Sequence, residues 1–120
     1  MNLIFSQRAE EFLEKEYSKH NKKLNLVLHA KQIDKTCFVK LEPAISFETD
    51  ENYLEGIDKI SDWQNKVDIF MDPVIEPLLK DKNEIKIDLK GKIFKSLQVE
   101  DAKTQVKLSN CTVTIKRPKF

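Results

Sequence analysis

VDIFMDPVIEPLLKDKNEIKIDLKGKIFKSLQV, residues 67–99, decides the fold. Val67, Ile69 and Met71 alternate with Asp68, Phe70 and Asp72, the two-residue period of a strand with one covered face. Asp72-Pro73 then opens a short helical turn. The Asp side chain accepts an otherwise orphaned backbone N–H, and proline fits the first helical position, where no N–H is needed. Pro77 keeps that turn short, because it removes an i→i−4 donor. Ile85, Ile87 and Leu89 alternate with Lys86, Asp88 and Lys90 in a second strand, which places Leu89 in the core. Gly91 interrupts the alternation. The stretch from Ile93 to Val99 is expected to resume it, with Lys95 and Ser96 on a polar edge or in a bulged strand.

On the N-terminal side, Leu3 to Phe5 predict a short first strand, and Ser6 is placed to cap a helix over about Gln7–Lys19. Ala9, Phe12, Leu13 and Tyr17 share one face of that helix at three- and four-residue spacing. Glu10, Glu11 and Glu14 come early and Lys19 and His20 late, which suits the helix dipole. Leu24, Leu26, Leu28 and Ala30 alternate with Asn25, Val27, His29 and Lys31 in a half-buried strand that carries His29 on its solvent side. A turn is expected over Gln32 to Lys35, then a strand with Cys37, Val39 and Leu41 on one face. Pro43 is expected to end that strand, since proline cannot donate to a ladder, and Ile45 and Phe47 to begin another. From Asp50 to Asn65 two readings stay open, an irregular turn or a short helix around Tyr53, Leu54 and Ile57, with Ile60 and Trp63 as anchors. Phe12, Phe47, Phe70, Phe94 and Trp63 are assigned to the core, because they are not interleaved with lysines as a nucleic-acid stacking platform would be. A last hairpin joins Gln105–Leu108 to Cys111–Ile115 through Ser109-Asn110. Short strands with one good helix predict an α+β, mostly β fold rather than a doubly wound parallel sheet.

A chain of 120 residues predicts a single domain, 1–120. The 21 basic and 20 acidic side chains leave a formal charge of +1, so no strong global field draws in nucleic acid or an anionic membrane. Glu48, Asp50, Glu51, Glu55, Asp58 and Asp62 form an acidic run, and Lys103, Lys107, Lys116, Arg117 and Lys119 a basic tail; both read as solvated faces. MNLIFSQRAEEF has no basic n-region or long apolar core, no apolar run spans a bilayer, and two distant cysteines suit a reducing compartment. The expected location is therefore cytoplasmic, with no membrane and no nucleic acid among the partners.

The chemistry begins with exclusions. Gly56 and Gly91 are the chain's glycines, so no glycine-rich loop cradles a phosphate. His20 and His29 lie on different elements, so there is no HExxH, and there is no GxSxG elbow and no CxxC. The chain is accordingly read as not an enzyme. Cys37 and Cys111 are its soft metal ligands, and two readings stand. Both share strand parity with apolar neighbours, as small buried hydrophobes do. Alternatively, one or both bind iron or a cluster as thiolates.

MNLIFSQRAEEFLE, NLVLHA, VDIFMDPVIEPLL and EIKIDLKGKIFKSLQVE together resemble the HesB-like superfamily, which holds the A-type iron–sulfur carriers and a cysteine-pair or selenocysteine branch. The resemblance spans about residues 1 to 100, and KGKIFKSLQVE is closest to the cysteine-pair branch. It implies a compact curled mixed sheet with the N-terminal helix packed across it. It also implies Cys37 as the loop cysteine, with Cys111 standing in for the lost tail pair. The chain departs from the carriers in two places: HAKQIDKTC holds no glycine, and no C-terminal CxC is present. The resemblance and these departures imply a non-catalytic relative of the cluster-biosynthesis carriers that has lost or altered the metal site. The alternative is an iron or iron–sulfur carrier using Cys37 and Cys111 across a homodimer, since a cluster takes four thiolates and two chains supply them. A weaker alternative is an enzyme on the same scaffold. The implied partners are another protein or a second copy.

Overall fold

The computed structural model describes residues 2–34, 38–79, 83–100 and 104–108. Strand β1 (Asn2–Phe5) ends at Ser6, which starts helix α1 (Gln7–His20). Ser6 is extended, with φ −67° and ψ 162°, and its Oγ accepts the Ala9 N–H at 3.1 Å. Asn21, at φ 53°, closes the helix in the left-handed conformation, its N–H donating to the Tyr17 carbonyl at 2.8 Å. There follow β2 (Leu24–Asp34), β3 (Phe38–Phe47), a short helix α2 (Glu51–Glu55), β4 (Asp58–Trp63) and β5 (Val67–Met71). A 3-10 helix (Pro73–Leu78), β6 (Glu84–Lys90), β7 (Ser96–Val99) and β8 (Gln105–Leu108) complete the order. The protein is α+β and mostly β, with a curled mixed sheet and one N-terminal helix across it.

Hydrogen bonds divide the strands into two groups, β1-β6-β7 and β4-β5-β2-β3-β8. β1 runs parallel to β6, with Leu3 opposite Ile85 and Phe5 opposite Ile87. β2 runs parallel to β5 and antiparallel to β3. The two groups meet where β3 and β7 approach with Cα atoms within 8 Å of one another.

Three local expectations are corrected. The turn over residues 32–35 is strand as far as Asp34, where Gln32, Ile33 and Asp34 face Leu41, Lys40 and Val39. Pro43 does not end β3, nor do Ile45 and Phe47 begin a new strand: one strand runs from Phe38 to Phe47. The Glu48 N–H donates to the Asn25 carbonyl, and alternation along the register then bonds Ser46 to Val27, Ala44 to His29 and Glu42 to Lys31. Pro43 faces Ala30 in a non-bonded pair, so the ladder with β2 needs no N–H from it. On the other edge, among the described residues, β8 pairs β3 from Phe38 to Leu41. The acidic connection holds a strand as well as a helix. Asp50 caps α2 by accepting from Asn52 and Tyr53, and β4 then pairs β5 through the three-residue connection Gln64, Asn65 and Lys66. Gln64 and Asn65 in that turn have φ 49° and 57°, the mirror-image geometry that matches strand twist. A register shift between Lys59 and Ser61 bulges β4.

The core lies between α1 and the strands. Ala9 and Leu13 of α1 pack with Leu26, Leu28, Ile69, Ile75, Ile85 and Ile87 in one cluster. Leu89, at 5% exposure, is core as expected. Asp72 caps the 3-10 helix by accepting the Val74 N–H at 3.1 Å, with Pro73 at its start. Two polar ties hold α1 to the β4–β5 turn. Trp63 Nε1 donates to Glu10 Oε2 at 3.3 Å, and Lys66 Nζ lies 2.7 Å from Glu14 Oε2. Phe12 and Phe47 are partly buried against the core, and Trp63 is buried. The Cys111–Ile115 strand of the expected last hairpin lies outside the described residues; its partner strand is β8.

Leu28 is fully buried at the centre of β2, between β3 and β5. Leu28→Ala is expected to destabilise the fold by about 2–5 kcal/mol, through lost burial and the cavity left behind. Leu89→Ala, at the rim of the same core, falls at the lower end of that range, about 2 kcal/mol. Urea titration of the two variants beside the wild type measures both.

Candidate functional site

The β6–β7 hairpin carries the most unusual surface of the described chain. Its register pairs Lys90 with Ser96, so residues 91–95 close the turn and stand outside the ladder. Gly91 makes the closure possible: its φ is 98°, and a Cβ there would sit 2.2 Å from the Phe94 carbonyl oxygen. The chain folded this tightly turns Ile93 and Phe94 outward, at 86% and 91% exposure. Phe94 is thus not a core residue, and the strand expected from Ile93 begins at Ser96. Lys90 and Lys92 precede the apolar pair and Lys95 follows it, with no acidic residue between positions 90 and 96.

The base of the hairpin is fastened to α1. Ser6 Oγ–H donates to Asp88 Oδ1 at 2.5 Å while the same Oγ caps the helix. The Leu89 N–H adds a bond to Asp88 Oδ1 at 2.7 Å. Lys90 Nζ lies 3.2 Å from Asp88 Oδ2 and 3.5 Å from Glu100 Oε1, so its charge is matched by two carboxylates. The Ser6 hydroxyl first, then the Leu89 amide and the Lys90 ammonium, outweigh desolvation and hold the Asp88 pKa down at about 2. Asp88 in turn raises that of Lys90.

A furrow runs beneath the turn. Arg8, Phe12, Lys15, Leu89 and Lys95 border a cavity of about 330 Å³. Phe12 and Lys95 also line a second, of about 240 Å³, with Leu26, Ile45, Phe47 and Leu97. Ile45 and Leu97 continue into a third, of about 450 Å³, along the seam between β3 and β7. The stacked rings of Phe12 and Phe47, with centroids 6.3 Å apart, form an apolar wall where the first two meet.

Two other polar clusters are structural. Burial works to raise the Asp68 pKa, but the Lys59 and Lys23 ammoniums, 3.0 and 3.1 Å from its Oδ1, prevail and lower it. Tyr53 donates its phenol proton to Asp72 Oδ2 at 2.8 Å. Burial and then that bond push its pKa up to about 12. The histidines are placed apart: His29 Nε2 lies 3.0 Å from Ser46 Oγ, and His20 Nδ1 lies 3.0 Å from the Glu16 carbonyl at the end of α1. Cys37 and Cys111, the predicted ligands, lie outside the described residues. Among the described residues, no three of His, Cys, Asp and Glu converge as a metal site would require.

No protein-family model, no curated protein and no solved structure matches the chain. Among the described residues, no helix is long and apolar enough to cross a membrane.

The Asp88 network gives an acid-sensitive fastening. A carboxyl whose folded pKa lies below its ordinary 3.8 adds stability above that value and loses it as pH falls through about 2. Ser6→Ala is expected to return the Asp88 titration toward 3.8, as read by carboxyl-carbon NMR. Removing the helix cap is also expected to cost about 0.5–2 kcal/mol in denaturant.

Proposed function

We propose that the protein is a divergent HesB-like, non-catalytic binding module that acts through the β6–β7 turn. The observation that carries the reading is the outward placement of Ile93 and Phe94, which are 86% and 91% exposed above an apolar furrow. Neighbouring apolar side chains left in water are a common mark of an interaction site. The strand–helix–strand order of β1, α1 and β2, and strand β5 followed at once by Asp72-Pro73, support the HesB-like assignment.

The shifted titratable groups have structural partners. General acid–base chemistry works best with pKa values near the operating pH. Here Asp68 and Asp88 shift downward and Tyr53 upward, so each moves away from neutrality and is fixed in its ordinary ionisation state. The thiol donors support a lost metal site. One chain carries two cysteines, half of the thiolates that an iron–sulfur cluster takes. A single chain therefore does not fit a cluster.

Anaerobic incubation with iron and sulfide, followed by separation of monomer and dimer and metal analysis of each, tests this reading. The expected result is no stoichiometric iron in either fraction. Iron on the monomer that disappears in Cys37→Ser would reject the proposal. Iron confined to a dimer, and lost in both Cys37→Ser and Cys111→Ser, would replace it with a carrier bridging two chains.

A further inference from the structure

We infer that the β6–β7 turn seats the protein on an anionic lipid surface, with Ile93 and Phe94 as the inserting side chains and Lys92 and Lys95 as the contacts to lipid charge. The inference rests on the β6–β7 turn being the binding element and names what it binds. The turn is convex, which suits a surface that parts around a probe better than a preformed pocket. Ile93 and Phe94 are adjacent and almost wholly in water, so both can leave it together. Gly91 permits the tight path of the turn, and the Ser6–Asp88–Lys90 network holds its base.

Charge selects the lipid. Lys90 is occupied by Asp88 and Glu100 and is not counted. Lys92 and Lys95 flank the apolar pair, are exposed, and make no ion pair among the described residues. Arg8 and Lys15 border the cavity that Lys95 shares, with Glu11 and Glu16 beside them, so the excess positive charge is centred on the turn itself. The formal charge of +1 over the whole chain conceals this local surplus. Juxtaposed lysines near an anionic leaflet act within a Debye length, so a local patch suffices where a global field is absent.

Other occupants fit less well. A stable protein interface removes roughly 800 Å² from each partner. Two projecting side chains fall short of that, at roughly 150–250 Å² for an aromatic and no more for its aliphatic neighbour, or about 500 Å² together at most. A symmetric contact between two copies would bring Lys92 and Lys95 of both chains together, where their charges repel.

The test is co-sedimentation of the full chain with vesicles of phosphatidylcholine alone and with about one-third phosphatidylserine added. Partitioning onto the anionic vesicles is expected to exceed that onto neutral ones by about tenfold or more, and to weaken with added salt. Ile93→Ser/Phe94→Ser is expected to lower it by about tenfold or more, and Lys92→Gln/Lys95→Gln to remove the preference for anionic lipid. Both variants change exposed residues, and circular dichroism verifies that the fold is kept. The inference is overturned if the wild type ignores anionic vesicles, or if binding survives the Ile93→Ser/Phe94→Ser change. It is also overturned if gel filtration shows a wild-type dimer that the same change dissolves, which would assign the turn to a second copy. These failures leave the iron-reconstitution result standing. Iron uptake is what rejects the underlying reading.

Discussion

The arrangement depends on the double pairing of β2. From Leu24 to Leu28 its backbone is bonded to β5 on one edge and to β3 on the other. Leu26 and Leu28 enter the main core from one face, and Val27, 1% exposed, is buried on the opposite face. A strand covered this way has no water for its N–H and C=O groups, so both neighbouring strands are obligatory. β5 then fixes β4 through its hairpin, and β3 fixes β8 through its register. The second strand group has no ladder to β2 and is held by α1, the shared core and the β3–β7 seam.

This division separates a rigid frame from a displayed tip. Ser6 performs two tasks with one hydroxyl, accepting from the first turn of α1 and donating to Asp88 of β6. Parallel pairing of β1 with β6 brings Ser6 level with the strand, where its N–H also meets the Ile87 carbonyl at 2.9 Å. Residues two and three positions away from this fastening, Lys90 and Gly91, begin the exposed turn. The apolar side chains at the tip are therefore displayed from a backbone whose base is bonded on several sides.

Much of the fold was legible because alternation is strong in β2, β5 and β6, and because Ser6 and Asp72 are good caps in the right places. The helix needed one residue of adjustment at its end. The misreadings have definite causes. Pro43 looked like a stop, since the sequence does not reveal which edge its missing N–H faces. β4 was hidden because its turn uses Gln64 and Asn65 at positive φ, with no glycine to mark it. Phe94 was assigned to the core with the other aromatic residues, because their spacing from lysines did not mark a stacking platform. The cue to its exposure was Gly91 followed by a lysine-bracketed Ile-Phe pair, but only the Lys90–Ser96 register shows that the pair lies outside the ladder. Cys37 and Cys111 stood out as the chain's soft ligands and through the family resemblance, whereas the exposed turn shows only in the geometry, in a different part of the molecule.

The proline within β3 also bears on how the protein behaves at high concentration. Among the described residues, the outer side of β3 from Glu42 to Phe47, past the start of β8 at Gln105, has no ladder partner. An unpaired strand edge is a template on which chains add to one another in fibrils. Pro43 places a residue without a donor within that edge and directs the missing N–H away from β2. An incoming strand would meet a gap in its hydrogen-bond ladder there, in addition to the crowding from β7. A residue that costs the native sheet no bond thus hinders growth of an intermolecular one.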